Sequence, residues 1–399
     1  MLKGKKIVLG ITGGIAAYKS AELTRELIKR GAEVKVIMTA NATKFITPLT
    51  LQTLSGNPVY TDMFSLIEEY EIGHISLAEE ADILVIVPAT ANIIGKIASG
   101  LADDLLSTTV MATKAPVLIC PAMNSNMYTN DIVKENMSKL ASNNYFFIES
   151  AYGELACGAE GYGRLPPLDE IIEEIESILT ESDLTGEKIL ITAGPTQEPF
   201  DPVRYITNYS SGKMGYALAT AARRRGAEVT LISGPSSLPE PFGVKFFKVS
   251  SAIEMRDTVM DNMGDSTVII KAAAVADFRP ATISDDKIKK ESGLLNLHLE
   301  RNPDIISEVA EKKGDRILVG FAVETENLIE NARNKMLKKN MDLIVANDVT
   351  RDGAGFQSDT NIVKILDREG QVEELPILEK IEVADRILDR IKAIKVTKV

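Results

Sequence analysis

Tryptophan is absent from this 399-residue chain, histidine and cysteine occur twice each, and aromatic residues make up 5%. So few aromatic rings leave little on which the bases of a single nucleic-acid strand would stack. Basic charge is also short: 45 Lys and Arg stand against 57 Asp and Glu, a net charge of −12. That balance excludes the broad basic surface of nonspecific nucleic-acid binding. Small anionic substrates stay open, because a local basic pocket can sit in an acidic protein. The cysteines, Cys120 and Cys157, are too few and too far apart for a disulfide framework or a zinc motif. No apolar run is long enough to span a bilayer. The start, Met1-Leu-Lys-Gly-Lys-Lys, leads directly into a strand-like Ile7-Val-Leu-Gly and shows no small-residue cleavage site. A reducing cytoplasmic compartment without membrane attachment is the expectation.

What the chain does have is a repeated rhythm of apolar strand, glycine-bearing turn and amphipathic helix. Strands are predicted at Ile7–Leu9, Val34–Met38, Ile83–Val87, Val117–Cys120 and Tyr145–Ile148. A second set follows at Ile189–Thr192, Val229–Ile232, Val268–Lys271, Leu318–Phe321, Leu343–Ala346 and Ile362–Leu366. Short continuous apolar runs suit strands buried on both faces of a parallel sheet, and the helices between them make the class doubly wound α/β. The sequence Arg30-Gly-Ala-Glu-Val-Lys-Val-Ile returns as Arg225-Gly-Ala-Glu-Val-Thr-Leu-Ile. In both places the glycine is expected to end a helix just before a strand. Two domains follow, 1–182 and 183–399; the segment Asp169–Glu187 reads as acidic and helical, and its end, Leu184-Thr-Gly-Glu, as a hinge. The second half carries roughly a dozen additional residues around Gln197–Lys213, a βα connection long enough to suggest a ligand of its own.

In the first half, the turn Gly10-Ile-Thr-Gly13-Gly14 lets the backbone approach a phosphate at a helix start. It is not the dinucleotide fingerprint, and Met38-Thr39-Ala40-Asn41 offers no acid for an adenosine ribose. A mononucleotide phosphate held by Thr39, Asn41 and Thr43 fits better. Two successive strand ends carry small and amide-bearing residues: Pro88-Ala89-Thr90-Ala91-Asn92 and Pro121-Ala122-Met123-Asn124-Ser-Asn126-Met127-Tyr128. His74 stands in Gly73-His-Ile. Cys120 ends an apolar strand and reads as a core thiol, whereas Cys157 lies in a glycine-rich stretch that reads as a mobile flap.

Gly-His-Ile, Pro-Ala-Met-Asn-x-x-Met-Tyr and the Ala156-Cys157-Gly158 flap, in this order, resemble the flavin-dependent cysteine decarboxylases over roughly Leu2–Arg164. Tyr128 stands where many relatives have Trp. The resemblance implies a flavodoxin-like domain, usually trimeric, with FMN between subunits. Gly13, Gly14, Thr39, Asn41, Thr43, Pro88, Ala89, Thr90, Asn92 and Met123 would bind the FMN. Loss of CO₂ from a cysteinyl group needs an electron sink, which oxidation of the thiol to a thioaldehyde provides. His74 is then expected to act in the oxidative half as base or carboxylate partner, Asn124 to hold the substrate carboxylate, and Cys157 to donate the final proton.

In the second half, Gly194-Pro-Thr-Gln-Glu leads to Asn208-Tyr-Ser210-Ser211-Gly212-Lys213-Met-Gly, whose helix-start amides can bind phosphate. This is not a Walker A loop, since Met214 follows Lys213. A second strand end reads Lys271-Ala272-Ala273-Ala274-Val-Ala-Asp277-Phe, with Asp277 able to hold Mg²⁺. Lys287-Ile-Lys289-Lys290 follows within a loop and could close over a triphosphate.

These motifs are together similar to phosphopantothenate–cysteine ligase over roughly Gly186–Ile394, and the fused order resembles the bifunctional enzymes of coenzyme A synthesis. The resemblance implies CTP as cosubstrate, an acyl-cytidylate intermediate and attack by the amine of cysteine. Lys287 would neutralise charge at the α-phosphate, and Asn208 would hold the acyl-nucleotide. The nucleotide site would be Gly194, Ser210, Ser211, Gly212, Lys213, Ala272, Ala273, Ala274, Asp277, Lys287, Lys289, Pro303, Asp304, Ile305, Ile306, Phe321, Lys335 and Lys339, with Lys290 as a further phosphate contact. Dimeric ligase contacts joined to trimeric decarboxylase contacts suggest a homo-dodecamer. Two rival readings are an NAD(P)-dependent two-domain reductase and a noncatalytic flavoprotein scaffold.

Overall fold

A computed structural model describes residues 2–64, 73–156, 158–289, 296–323, 328–347 and 358–398. The chain divides into two compact units, Met1–Thr180 and Glu181–Val399. Among the described residues, no helix is long and apolar enough to cross a membrane.

The first unit runs β1 (Lys6–Ile11), α1 (Lys19–Lys29), β2 (Glu33–Met38), α2 (Pro48–Ser55), β3 (Val59–Tyr60), α3 (Gly73–Glu80), β4 (Ile83–Ala89), α4 (Ala91–Ala98), α5 (Leu105–Ala112), β5 (Val117–Pro121), α6 (Ser125–Tyr128), α7 (Asp131–Ala141) and β6 (Phe146–Phe147). A hairpin of β7 (Ala151–Glu154) and β8 (Glu160–Arg164) and then α8 (Leu168–Ile178) complete it. The sheet order is β3-β2-β1-β4-β5-β6, and every pairing is parallel. Setting aside the two-residue β3, the order is the flavodoxin-like one. Every residue of β4 is buried, as its unbroken apolar run requires of a central parallel strand. Leu84, Ile86, Ile93, Ile97, Leu106 and Ile119 pack one core layer from the strands and the helices above them.

The second unit runs β9 (Lys188–Ala193), β10 (Gln197–Pro199), β11 (Tyr205–Thr207), α9 (Lys213–Arg224), β12 (Glu228–Ser233), β13 (Lys245–Lys248), α10 (Ala252–Asn262), β14 (Val268–Lys271), β15 (Phe278–Pro280), β16 (Leu299–Arg301), α11 (Ile305–Lys312), β17 (Ile317–Val323) and α12 (Leu328–Lys338). It closes with β18 (Leu343–Asn347), β19 (Thr360–Asn361), β20 (Val363–Asp367), β21 (Val372–Glu374), β22 (Leu378–Glu379) and α13 (Lys380–Lys398). Its eight-stranded sheet has the order β13-β12-β9-β14-β17-β18-β20-β21. Both faces are covered: Val268 and Ile270 of β14 enter one core layer, Ile269 the other.

The echoed helix stops have one physical cause. Gly31 and Gly226 adopt φ of 84° and 86°, the left-handed turn that ends a helix and suits glycine. Three expectations need correction. The run Ile362–Leu366 is not a parallel strand: β20 lies antiparallel to β18, and β21 antiparallel to β20. Lys364, half-buried between buried Val363 and Ile365, is the one break in an otherwise buried strand. The proposed hinge at Leu184–Glu187 is packed rather than free. Leu184 enters the second unit's core, with 3% of its surface exposed, and donates its N–H to the Arg225 carbonyl at 2.9 Å. Acidic helix extends only over α8, not to Glu187. The long loop after β9 folds as the antiparallel β10–β11 hairpin.

Candidate functional site

The carboxyl ends of β1, β2, β4 and β5 open onto a cavity of about 1230 Å³ in the first unit. Ligand pockets commonly measure about 300–1,000 Å³, so this volume takes a mononucleotide together with a second small molecule. Its wall includes Gly13, Gly14, Thr39, Asn41, Thr90, Asn92, Met123 and Asn124. The Thr12 hydroxyl ties two strand ends together: it donates to the Pro88 carbonyl at 2.7 Å and accepts from the Thr90 N–H at 3.2 Å. A Cβ on Gly163 would lie 2.2 Å from the Met123 carbonyl oxygen, so β8 can approach the β5 end only as glycine. The Met123 N–H in turn donates to the Gly163 carbonyl at 2.9 Å. Asn124 caps the short α6, its side-chain oxygen accepting from the Asn126 N–H at 2.9 Å.

The donor set is mostly neutral hydroxyl and amide, with three cations, Lys19, Lys96 and Arg164, on the same wall. Burial first, and then the neighbouring Arg164, hold the Lys19 ammonium below its ordinary pKa. Such a wall fits a planar mononucleotide bearing a phosphate, the group expected from the motifs. Thr12, Lys19 and Arg164 were not singled out in the sequence. Lys19 and Arg164 meet only through the fold, and the Thr12 role depends on two other strand ends.

Other predicted residues stand apart from this wall. Thr43 spends its hydroxyl on the Ala40 carbonyl at 2.9 Å. Ala89 is fully buried, and its carbonyl accepts from the Ala122 N–H at 2.9 Å. Pro88 supplies the carbonyl that Thr12 holds. Thr43, Pro88, Ala89 and His74 are not among the residues that line the cavity. His74 lies in the first turn of α3, and its Nδ1 is sealed from solvent without a hydrogen-bond partner among the described residues. Cys157 lies outside the described residues; its neighbours Ala156 and Gly158 line the cavity. Cys120 is a buried free thiol whose pKa burial pushes well up. Lys96 and Asp104 do line the cavity, but they are paired: Lys96 bridges Asp103 and Asp104 at 2.7 and 2.9 Å, and Asp104 caps α5.

In the second unit Gly194 and Ala272, Ala273 and Ala274 follow the ends of β9 and β14, and Phe321 lies in β17. Asn208 donates its side-chain amide to the carbonyls of Ala274 and Val275 at 3.4 and 3.1 Å. The Ala273 N–H reaches the Thr192 hydroxyl at 3.3 Å, and the Ala274 N–H the Gly194 carbonyl at 2.9 Å. Gly194 and Gly212 both adopt positive φ, and a Cβ on Gly212 would sit 3.4 Å from the Gly194 backbone. This packing sets the start of α9, with Ser210, Ser211 and Lys213, against the strand ends. The Ser210 hydroxyl accepts from the Gly212 N–H at 3.3 Å, and Lys213 pairs with Asp359 at 2.6 Å.

Lys335 donates to the Phe321 carbonyl at 3.3 Å. Lys339 pairs with Asp304, the residue that caps α11, and also donates to the Ser307 hydroxyl at 2.8 Å. Ile305 is buried, and Ile306 packs into the core under Gly320. The Pro303–Ile306 turn therefore has mainly backbone to offer a ligand. Lys287 and Lys289 are exposed, and Lys290 lies outside the described residues. Asp277 is exposed, and no group of three His, Cys, Asp or Glu arranged for a metal occurs among the described residues. A Mg²⁺ ion here would rest on one carboxylate and on ligand phosphates.

Comparison with known proteins covers both units. Residues 1–180 match the Flavoprotein family and residues 184–394 the DNA/pantothenate metabolism flavoprotein C-terminal domain. The coenzyme A biosynthesis bifunctional protein CoaBC of Bacillus subtilis (strain 168) is 50% identical, covering 99% of this chain and 98% of its own. The protein of the same name from Escherichia coli (strain K12) is 47% identical, covering 98% and 97%. Among solved structures, the C-terminal domain of a CoaBC is 43% identical and spans 54% of this chain and all of its own, with a TM-score of 0.48. A PPC decarboxylase mutant complexed with pantothenoylaminoethenethiol is 29% identical over 43% of this chain and 97% of its own, with a TM-score of 0.40. The end of β2 carries Thr39 and Asn41 rather than an acid, and no relative named here is a nicotinamide-dependent reductase. The chain belongs to the family of coenzyme A biosynthesis bifunctional proteins.

Proposed function

We propose that the second unit joins 4′-phosphopantothenate to cysteine at the expense of CTP, and that the first unit decarboxylates the product to 4′-phosphopantetheine with FMN. The observation that carries this reading is the near full-length match to relatives named for two activities of coenzyme A synthesis. The chain would work in the cytoplasm as a homo-oligomer, with trimeric contacts in the first unit and dimeric contacts in the second building a dodecamer.

In the first unit, Gly13, Gly14, Thr39, Asn41, Thr90, Asn92 and Met123 would hold FMN. Bound flavin would supply a reversible two-electron sink: oxidation of the thiol to a thioaldehyde lets the carboxylate leave as CO₂, and return of the same two electrons to the resulting enethiol brings the product back to the thiol level. Asn124, fixed at the α6 cap, orients the substrate carboxylate. His74 takes the proton in the oxidative half or pairs with the carboxylate. Cys157 returns a proton at the end. FMN lying between subunits of a trimer accounts for His74 standing off the wall of a single chain's cavity.

In the second unit, a carboxylate oxygen of 4′-phosphopantothenate attacks the α-phosphate of CTP and pyrophosphate leaves. Lys287 neutralises the charge that develops there. Asp277, together with the ligand phosphates, would hold Mg²⁺, whose charge would offset the repulsion between the phosphates. Asn208, anchored on the Ala274 and Val275 carbonyls, holds the acyl-cytidylate. The cysteine amine then displaces CMP and gives up a proton.

The test is an assay of the purified chain with 4′-phosphopantothenate, cysteine, Mg²⁺ and either CTP or ATP, after a visible spectrum is recorded. Expected are a flavin spectrum, pyrophosphate that depends on CTP, and CO₂ only after ligation. A colourless protein that yields neither product even with added FMN would leave the scaffold reading. Pyrophosphate with ATP alone would overturn the choice of CTP.

A further inference from the structure

The β10–β11 hairpin carries at its turn a carboxylate that solvent does not reach: the Asp201 side chain is 0% exposed. Four of its hydrogen-bond donors lie within the turn. They are the Val203 N–H at 2.9 Å, the Arg204 N–H at 2.8 Å, and Arg204 Nε and Nη2 at 2.9 and 2.5 Å. The fifth comes from far along the chain, the Ile288 N–H at 3.2 Å. Arg204 Nη2 also donates to the Ile288 carbonyl at 3.0 Å. Both polar groups of the Ile288 backbone are therefore gripped by one ion pair. A third tie lies beside it, where the Ser284 N–H donates to the Phe200 carbonyl at 3.1 Å. The Phe200 ring itself lies 5.2 Å from the Arg204 guanidinium. The Arg204 guanidinium, and then the backbone amides, hold the Asp201 carboxyl far below the usual carboxylate range.

Ile288 sits between Lys287 and Lys289, both exposed and both assigned above to the polyphosphate. A lysine on an unrestrained loop would have to be ordered in each catalytic cycle, which works against its effect on the transition state. We infer that Asp201 is a positioning residue of the ligase reaction, which with Arg204 latches the Ile288 backbone and so sets Lys287 and Lys289 in place for the phosphates. This rests on the proposed role of Lys287. Asp201 itself touches no reacting atom; it acts through the loop.

The latch gives the long connection after β9 a purpose that a surface insertion would lack. It couples the hairpin, which leads into Asn208, to the loop that carries the lysines. The groups assigned to activation and to acyl-nucleotide binding thus share one frame.

The experiment is a double-mutant cycle on the full chain, read as pyrophosphate release at saturating nucleotide, with amide exchange over residues 284–289 measured alongside. Asp201→Ala should lower kcat by roughly 10- to 100-fold, the scale of a misplacement of about 1 Å. Asp201→Asn, which keeps an acceptor for the Ile288 N–H, should recover part of that loss. In a Lys287→Gln background the Asp201→Ala change should add little, because residues that act through one another are not additive. Exchange at Ile288 should quicken in Asp201→Ala while the β9 and β14 amides keep their protection.

Additive losses, or unchanged exchange at Ile288, would overturn the latch even with Lys287→Gln impaired. Unchanged pyrophosphate release by Lys287→Gln alone would instead sink the role of Lys287, and the inference with it. If Asp201→Ala does not fold, Asp201→Asn carries the same cycle.

Discussion

Gly13 and Asn41 meet so closely at the mouth of the first unit's cavity that a Cβ on Gly13 would lie 2.4 Å from the Asn41 Cβ and 2.9 Å from its backbone carbon. Backbone cannot swing aside as a flexible side-chain tip can. Gly13→Ala must therefore push the β2 end and the β1 loop apart, in the wall assigned to the cofactor. At Gly14 the nearest atom to an added Cβ is Thr90 Cγ2 at 3.6 Å, an ordinary contact. Purified Gly13→Ala is expected to lose most of its visible flavin absorbance and to melt earlier, with overpacking costing about 1–3 kcal/mol. Gly14→Ala should keep the absorbance. Equal flavin content in the two variants would remove Gly13 from the cofactor wall.

Lys339 holds the turn that would present backbone to the nucleotide. It pairs with Asp304 and donates to the Ser307 hydroxyl at 2.8 Å, while Asp304 accepts the Ser307 N–H at 3.2 Å as the cap of α11. Asp304 is 48% exposed, so water can replace the lysine, and an exposed pair of this kind contributes at most about 1 kcal/mol. Lys339→Met is expected to raise the nucleotide KM about fivefold, which is about 1 kcal/mol of binding, with little change in melting temperature. An unchanged KM would take the turn out of the nucleotide site.

How much of this could be read from residues alone varies with the range of the interaction. Continuous apolar runs such as Ile83–Val87 marked buried strands, because burial on both faces removes the alternation that would otherwise confuse them. The glycine stops at Gly31 and Gly226 were legible because one backbone angle demands one residue type. Lys364, placed between Val363 and Ile365, is a single polar residue in a short run, too weak a signal to tell an antiparallel strand from a parallel one. The cavity cations Lys19 and Arg164 were out of reach, since only the packing of β8 against the β5 end brings them to one wall. The same holds for Asp201, whose fifth donor, the Ile288 N–H, arrives from 87 residues further along the chain.

Lys271 ends β14 with its Nζ buried and without a hydrogen-bond partner among the described residues. Burial lowers its pKa to about 7. A base whose folded pKa is depressed binds fewer protons when folded, so stability rises with pH between about 7 and the unfolded value of about 10.4. Lys271→Met replaces the amine with an apolar chain of similar length. The variant is expected to melt several degrees higher at pH 7, on the scale of about 2–4 °C per kcal/mol for a unit this size. Its melting temperature should also lose the rise from pH 7 to pH 10. A lower melting temperature for Lys271→Met would mean that the amine has a stabilising partner in the folded protein.

Asp183 gives the opposite sign at the other end of the pH scale. Its carboxylate accepts from Arg225 Nε and Nη2 at 2.8 and 2.7 Å and from Lys392 Nζ at 2.8 Å. Arg225 first, and then Lys392, lower its pKa to about 2 against the opposing effect of burial. An acid with a depressed folded pKa stabilises the fold above its unfolded value of about 3.9, and that contribution is lost as pH falls through the folded value. The second unit should therefore lose stability between about pH 4 and pH 2. Asp183→Asn should melt earlier at pH 7, because Arg225, only 7% exposed, keeps its charge and loses its bidentate partner. Asp389, at 2.8 Å from Arg225 Nη1, remains to limit that cost. The melting temperatures of the wild type and Asp183→Asn should converge as pH approaches 2. Parallel curves down to that pH would assign the acid loss to other carboxylates and leave the Asp183–Arg225 pair without a measurable part in it.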